Sequence, residues 1–473
     1  MLVAEHLRKL MERELGFEPT RCQKGLFEEL SAFVMADSPD DWLLVISGYA
    51  GTGKTTAIGA FIKALKTLRQ KFVLMAPTGR SAKVLAGYTG ESAKTIHKQI
   101  YRQKSLKDGI GQFQIDFNKA KETFYIVDEA SLITSGAGAQ SALFGSGNLL
   151  DDLIAYVRQD VSNKLIIMGD PAQLPPVGME VSPALDLNCL SSYTKPRVAM
   201  LRSVVRQEQQ SGILYNATKL RMQIEQGDTS LPGLREEGFT DFKRISGGEL
   251  IEAISDAIGK YGLDETVVLC RSNSRANRYN KGIRETILYK EERLAKGDKL
   301  MIVKNCYQFL ENIPDMDFIA NGDVAELMRI SNHEERYGLH FATATLSFPD
   351  YNNVEIKAKI VLDTLDSTTP ALSPEQQKRL YEEVYEDYAE IKSKRKRINA
   401  VREDLYFNAL QIKYAAAITC HKSQGGQWRC VFVDNALWNE EISIDDKKWL
   451  YTAITRGVDM VYLVNFADRL FDK

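Results

Sequence analysis

The residues with the most evident chemistry form the run Gly48-Tyr49-Ala50-Gly51-Thr52-Gly53-Lys54-Thr55, which satisfies the phosphate-loop spacing G-x-x-x-x-G-K-[ST] in full. In such a loop the glycines let backbone N–H groups wrap phosphate, Lys54 neutralises the β- and γ-phosphates, and Thr55 ligates magnesium. Gly48, Ala50, Gly51, Thr52, Gly53, Lys54, Thr55 and Thr56 are therefore the candidate nucleotide-binding residues. A second run, Phe124-Tyr125-Ile126-Val127-Asp128-Glu129, is an apolar stretch ending in two carboxylates. Asp128 would hold magnesium through water, and Glu129 would orient or deprotonate an attacking water. A glutamate there points to hydrolysis rather than phosphate transfer to a metabolite. A third run, Leu165-Ile166-Ile167-Met168-Gly169-Asp170, leads into a loop carrying Gln173, which is placed to sense a γ-phosphate.

Each of these groups needs a strand end to present it. Short apolar runs recur at Trp42–Gly48, Phe72–Ala76, Phe124–Val127, Lys164–Met168, Arg197–Leu201, Thr266–Cys270, Gln411–Thr419, Cys430–Asp434 and Met460–Phe466. Several are almost continuously apolar, as strands buried on both faces must be, and they alternate with helical stretches. That pattern predicts parallel sheets wrapped in helices, and nine such runs predict two α/β domains. The runs thin out after about 201 and resume at 266, which puts a junction near 205–230.

Two segments break the pattern. Between Arg102 and Lys121, the Asp108-Gly109 turn and the alternating Phe113, Ile115 and Phe117 predict a β-hairpin. From about 291 to 404, strand-like runs at Lys299–Val303, Asp323–Met328, Thr343–Phe348 and Val354–Leu362 predict a small inserted β domain. It ends in a helix opening at Ser373-Pro374-Glu375-Gln376, where Ser373 and Gln376 form a capping box around an N1 proline. Acidic residues Glu382 to Glu390 precede basic Lys392 to Arg397, an order that suits the dipole of one long solvated helix.

Composition bounds the rest. The 473 residues are enough for roughly three domains at about 150 residues each. Sixty-one basic and 63 acidic side chains give a net charge of −2, which excludes a generally basic nucleic-acid coat but not a local basic channel. No long apolar run predicts a membrane span, and Glu5, Arg8 and Lys9 do not suit a secretory leader. Six cysteines without a C-x-x-C pair, and five scattered histidines, argue against a zinc site or disulfide framework and suit a reducing cytoplasm.

Taken together, the motifs resemble a superfamily 1B DNA helicase of the RecD and Dda type, related to the Pif helicases. The resemblance runs from about 20 to 460 with the motifs in order. Thr20-Arg21-Cys22-Gln23 resembles the Q-motif, in which Gln23 would read adenine. Ala76 to Lys83 and Thr95-Ile96-His97 resemble motifs Ia and Ib. Residues 124–131 and 169–178 resemble motifs II and III, and Val204-Val205-Arg206-Gln207 resembles motif IV. Tyr414 to Gly426 resembles motif V, and Trp449 to Arg456 resembles motif VI.

The resemblance implies two RecA-like parallel-sheet motor domains. Domain 1A would comprise 1–97 and 121–205, a β-hairpin pin 1B 98–120, domain 2A 206–290 and 405–473, and an SH3-like barrel 2B with a helical extension 291–404. It implies an ATP- and Mg2+-dependent enzyme that moves 5′-to-3′ on single-stranded DNA and unwinds duplexes. Lys54, Asp128, Glu129, Gln173, Arg206 and Arg456 would act on the phosphates, the two arginines reaching across from the second domain. Pro77, Thr78, Lys83, His97, Phe113, Asn305, Thr419 and His421 are the implied DNA contacts, with the apolar hairpin residues as a wedge at the fork. Single-stranded DNA and its junctions are the implied partners, together with single-strand-binding, replication or repair factors, for a cytoplasmic monomer. The short reach ahead of the Q-motif suits a Dda-like or core Pif-like arrangement. A strand translocase that does not unwind and a motor subunit that works only with a partner in a repair or nuclease complex are the competing readings. The Gly-, Ser- and Ala-rich stretch Thr134–Asn148 has no assigned role.

Overall fold

The computed structural model describes residues 2–103, 113–136, 145–203, 210–306, 308–310 and 318–472. The first sheet is built from β1 (Leu43–Gly48), β2 (Lys71–Ala76), β3 (Ala93–Thr95), β6 (Thr123–Val127), β7 (Lys164–Gly169) and β8 (Arg197–Leu201). Between β3 and β6 stand the short antiparallel pair β4 (Tyr101–Gln103) and β5 (Phe113–Ile115). Sheet order is β3-β2-β6-β7-β1-β8, every pair parallel. Alternate residues of β1 serve opposite cores, as a pleated strand buried on both faces requires. Leu44 and Ile46 pack with helices Leu2–Leu15, Arg21–Met35 and Lys54–Thr67, while Leu43 and Val45 pack with Ile96, Ile100 and helix Leu149–Val157.

The second sheet takes β9 (Phe242–Ile245) and β10 (Thr266–Cys270) from one stretch of chain. It takes β16 (Ala417–Thr419), β17 (Trp428–Asp434) and β18 (Gly457–Val464) from another, in the parallel order β16-β10-β17-β18-β9. Between these stretches β11 (Lys299–Ile302), β12 (Val324–Arg336), β13 (Leu339–Phe348), β14 (Val354–Val361) and β15 (Leu410–Tyr414) close into a barrel. The two-sheet α/β architecture with a hairpin and a barrel inserted is therefore the observed fold. Among the described residues no helix is long and apolar enough to cross a membrane.

Two details correct the sequence reading. The run Gln411–Thr419 is not one strand of the second sheet. Its first half, β15, pairs with β11 and β14, and only β16 joins β10. The barrel thus closes with residues beyond 404, because a buried barrel strand and a buried parallel strand share the same apolar signature. The acidic-then-basic stretch is also not one helix. Helix Pro374–Asp387 stops and a second, Lys394–Glu403, begins with the basic residues at its N-terminus, where the dipole disfavours them. Arg397 compensates locally: its guanidinium lies 3.7 Å above Tyr385, donates to the Tyr385 carbonyl at 2.7 Å and pairs with Glu386 at 3.1 Å. The capping box at Ser373 and Gln376 forms as expected.

The barrel is anchored to the second sheet by a buried ion cluster. Asp298, just ahead of β11, accepts from Arg284 at 3.2 and 3.0 Å, from Lys290 at 2.9 Å and from the Ala295 N–H at 2.8 Å. Removing one partner of a buried pair strands the other charge, at about 3–5 kcal/mol. Asp298→Ala is expected to lower the urea unfolding midpoint by an amount equivalent to that loss, measured by circular dichroism.

Candidate functional site

A cleft of about 320 Å³ opens at the carboxyl ends of β1, β6 and β7, the position where parallel α/β sheets bind ligands. Ala50, Gly51, Gly53, Lys54, Thr55, Thr56, Asp128, Glu129 and Gln173 line it from the first sheet, and Arg456 lines it from the second. The loop is tightly wound. A Cβ on Gly48 would fall 2.7 Å from the Lys54 side chain, and Gly53 adopts φ 77°, the left-handed region that favours glycine. Thr52 is wholly buried and its hydroxyl donates to the Tyr49 carbonyl at 2.7 Å. The Lys54 ammonium is folded onto the Gly48 and Tyr49 carbonyls, at 3.0 Å from the latter.

The acidic pair faces this lysine. Burial, then the neighbouring Glu129 charge, pushes the Asp128 carboxyl up to about 7, with the Glu129 N–H and Lys54 pulling the other way. Glu129 stands at φ 53°, and its Oε2 is buried with no hydrogen-bond partner among the described residues, as is Gln173 Oε1. Arg456 is buried on its own sheet's carbonyls: Nε to Thr452 at 3.1 Å and Nη1 to Gly426 at 3.2 Å. Arg206 lies outside the described residues. Gln23 is not among the side chains lining the cleft. Its Oε1 accepts from the Thr20 N–H at 3.0 Å, closing a capping box, while its buried Nε2 has no partner among the described residues. The lining also includes two aromatic rings that the sequence did not single out, Phe17 and Tyr88, both exposed.

The implied strand contacts sit on a different face, and the barrel covers several of them. Pro77 follows β2, and Thr78 caps helix Gly79–Thr89 through the Ser81 N–H at 3.1 Å. Lys83 pairs with Asp350 at 3.1 Å and donates to the Pro349 carbonyl at 3.1 Å. The His97 ring lies 5.6 Å from Tyr101 and 6.3 Å from Phe318, and desolvation holds its pKa down at about 4. Phe113 is buried, 6.5 Å from the same Phe318, in the core of the first sheet. Phe117, just beyond β5, is exposed, and the Asp108-Gly109 turn lies outside the described residues. Asn305 accepts from the Asn321 N–H at 2.6 Å. Thr419 ends β16. His421 follows in a 3₁₀ turn, Cys420–Ser423, rather than on a continuing strand, so strand alternation does not set its direction. Burial, then Arg271, lowers the His421 pKa.

Where barrel and helix meet, a groove of about 650 Å³ runs between Lys83, Lys94, Thr95 and Lys98 on one wall and Phe318, Asp350 and Tyr351 on the other. Asp323 does not line the groove but stands beside Tyr351 of its wall. It accepts from the Ala320 N–H at 2.7 Å and from Tyr351 Oη at 3.3 Å, and a Cβ on Gly79 would stand 3.1 Å from its Oδ1. Burial, with a contribution from Asp350, pushes this carboxyl up to about 7. The folded state then holds a proton that the unfolded chain releases near pH 4, so this group's contribution to stability falls as pH rises from about 4 to 7. Asp323→Asn removes that slope. Its melting temperature is expected to match the parent's near pH 4 and to exceed it at pH 7.5, read by differential scanning fluorimetry across the range.

Two families match the sequence, AAA domain over residues 31–242 and UvrD-like helicase C-terminal domain over residues 414–464. An uncharacterised protein of Methanocaldococcus jannaschii is 24% identical over 465 residues, covering 89% of this chain and 36% of that protein. The ATP-dependent RecD2 DNA helicase of Deinococcus radiodurans is 31% identical over 162 residues, covering 34% of this chain and 19% of the helicase. The chain thus spans about a third and about a fifth of the length of these two relatives. A solved structure of Pif1 helicase from Bacteroides with ADP-AlF3 and single-stranded DNA aligns at TM-score 0.48 and 14% identity, over 96% of this chain and 94% of that one.

Proposed function

We propose that the chain is a superfamily 1B RecD/Pif-related helicase, an ATP hydrolase that drives itself 5′-to-3′ along single-stranded DNA and opens duplexes ahead of it. The polarity rests on the subgroup resemblance alone. The observation that carries the rest is that one cleft takes Lys54, Asp128, Glu129 and Gln173 from the first sheet and Arg456 from the second. A hydrolysis site shared by two bodies makes closure and chemistry inseparable, and a strand lying across both bodies turns that cycle into steps.

The residues fit a magnesium nucleotide. Asp128 and Glu129 are two adjacent acids in a buried site, where Lys54 is the cation that lowers the Asp128 carboxyl and Glu129 Oε2 has no hydrogen-bond partner among the described residues, a charge arrangement that a hard divalent ion with oxygen ligands satisfies. Thr55 and Asp128 would hold the ion, which when bound supplies neutralisation of phosphate charge. Lys54 would exchange its carbonyl partners for phosphate oxygens, Glu129 would orient the attacking water, and Gln173 would report the γ-phosphate. Arg456 would leave the Gly426 carbonyl to face the transferred group, and we assign Arg206 the same role on the strength of its motif. Pro77, Thr78, Lys83, His97, Asn305, Thr419 and His421 would grip phosphate and sugar. We place the apolar wedge at Phe117 rather than Phe113, since only the former is exposed.

The partner-dependent reading has one observation in its favour: the barrel stands over Lys83, His97 and Phe113. Magnitudes decide how firmly. Lys83 and Asp350 have side chains 55% and 17% exposed, and such a pair contributes about 0–1 kcal/mol. A buried phenyl ring contributes about 1.5–3 kcal/mol. Phe318 therefore holds the barrel down more than the ion pair does. We propose that the barrel lifts for strand entry, and that the motor acts alone as a cytoplasmic monomer with replication or repair factors as occasional partners.

Purified full-length protein is expected to hydrolyse ATP at least tenfold faster with a single-stranded oligonucleotide, and Lys54→Ala to abolish both rates. Hydrolysis indifferent to any oligonucleotide would transfer the weight to the partner-dependent subunit. In fluorescence anisotropy with a labelled oligothymidine, Phe318→Ser is expected to tighten binding about tenfold and Asp350→Asn no more than about threefold, in the order that burial and exposed ion pairing set.

A further inference from the structure

We infer that Tyr451 is a positioning residue for hydrolysis, its hydroxyl setting the helix that leads to Arg456 against both the P-loop and the Gln173 loop. The inference rests on the ATPase reading above and adds a residue to it.

The phenol is wholly buried, and desolvation together with the Asp170 carboxylate raises its pKa well above the ordinary range, so it remains a neutral O–H. A neutral phenol has one proton to donate and lone pairs to accept. The proton goes to Asp170 Oδ2 at 2.6 Å, and the oxygen accepts from the Ala50 N–H of the P-loop at 2.9 Å. Asp170 in turn shapes the loop after β7. Its Oδ1 takes the Ala172 N–H at 2.9 Å, and its carbonyl takes the Gln173 N–H at 3.3 Å. One hydroxyl therefore touches the phosphate loop and the residue that folds the γ-phosphate sensor.

Tyr451 stands on helix Ile444–Ile454 of the second sheet, five residues before Arg456. The Tyr451 carbonyl accepts from Thr455, N–H at 3.0 Å and hydroxyl at 2.8 Å, and the Thr452 carbonyl accepts from Arg456 Nε at 3.1 Å. The next side chain along, Thr452 Oγ1, takes the Leu174 N–H at 2.9 Å. A shift of the phenol relative to Asp170 is thus passed within one helical turn to the arginine. Tyr451 is not among the side chains that line the nucleotide cleft, so it acts through its neighbours and not on the phosphates.

Packing alone does not explain the hydroxyl. The ring sits in the apolar core of the second sheet, which phenylalanine would fill equally well. Among the described residues the hydroxyl's hydrogen-bond partners are the Ala50 N–H and Asp170 Oδ2, and a displacement of about 1 Å at a reacting group is worth about 10²-fold in rate.

The test is steady-state ATP hydrolysis by the full chain with a saturating single-stranded oligonucleotide. For Tyr451→Phe we expect kcat to fall about 30- to 100-fold with KM for ATP within about twofold. The decisive readout is the double variant with Arg456→Ala. If Tyr451 works by placing that helix, the double variant is no slower than Arg456→Ala alone, because residues acting as a unit are not additive. Tyr451→Phe with kcat within twofold of the parent, or with a loss that multiplies with that of Arg456→Ala, overturns the inference. A purely structural role would lower the melting temperature without that non-additivity. Should Tyr451→Phe not fold, Asp170→Asn keeps an acceptor while removing its charge. A smaller kcat loss at unchanged KM supports the inference, and an unchanged kcat overturns it. A parent chain that hydrolyses nothing sinks the ATPase reading and this inference with it, whereas an active parent beside an equally active Tyr451→Phe sinks the inference alone.

Discussion

Leu174 belongs by sequence to the first sheet and by packing to the second, and the arrangement of the molecule depends on that crossing. Its side chain, with those of Tyr49 and Ala172, is buried in the cluster formed by Trp449, Leu450, Tyr451 and Ile454. Its backbone is held as firmly. The Leu174 N–H goes to Thr452 at 2.9 Å, and its carbonyl takes the Gln424 side-chain amide at 2.6 Å. The first sheet has a core on each face, whereas the second has one core of its own and one that takes in Tyr49, Ala172 and Leu174. What they share includes the loop after β7, whose Ala172 and Leu174 are buried in the second sheet's core together with Tyr49 of the P-loop. That shared burial fixes the distance between a P-loop and an arginine carried on separate bodies.

The same economy operates on the other face through the barrel. Helix Gly79–Thr89 meets the barrel and the second sheet at once. Lys83 is taken by Asp350, while Arg80 stacks 4.1 Å over Trp428 and donates to the Gln427 carbonyl at 2.8 Å. A Cβ on Gly425 would lie 1.9 Å from Ser81 Oγ, so only glycine lets the second sheet approach this closely. The barrel is fixed at one end through Asp298 and its two cations, and at the other through the Lys83–Asp350 pair, the Lys83–Pro349 hydrogen bond and the contacts of Phe318 with His97 and Phe113.

The P-loop was legible in full because its spacing is a statement about backbone geometry, and the buried strands because two-sided burial leaves few polar choices. The limits were equally physical. Edge strands β3 (Ala-Lys-Thr) and β9 (Phe-Lys-Arg-Ile) carry no apolar run, since one side of each is open. The run Gln411–Thr419 was read as one strand because a barrel and a parallel sheet bury their strands alike. The pairing of Lys83 with Asp350 and the contacts of His97 and Phe113 with Phe318 were invisible because those partners lie more than 200 residues away. Tyr451 stood inside a recognised motif, yet nothing local says that its hydroxyl crosses to Asp170. A tyrosine in a helix buried on nearly every side is the one signal that could have raised the question, since a buried phenol must find a partner.

The order in which the strands occur along the chain has a consequence for how the protein is made. The first sheet is complete once β8 ends at Leu201, and it can form as soon as that length has left the ribosome. The second cannot. β10 has β16 and β17 as its neighbours, and Thr266 must wait for Cys430. At about 5–20 residues per second, that interval is on the order of ten seconds, during which Val267, Val268 and Leu269 have no strand to cover them. Strands β11 to β14 of the barrel emerge in that interval, and β15, which closes the barrel by pairing with both β11 and β14, comes directly ahead of β16, so barrel closure and completion of the second sheet fall together.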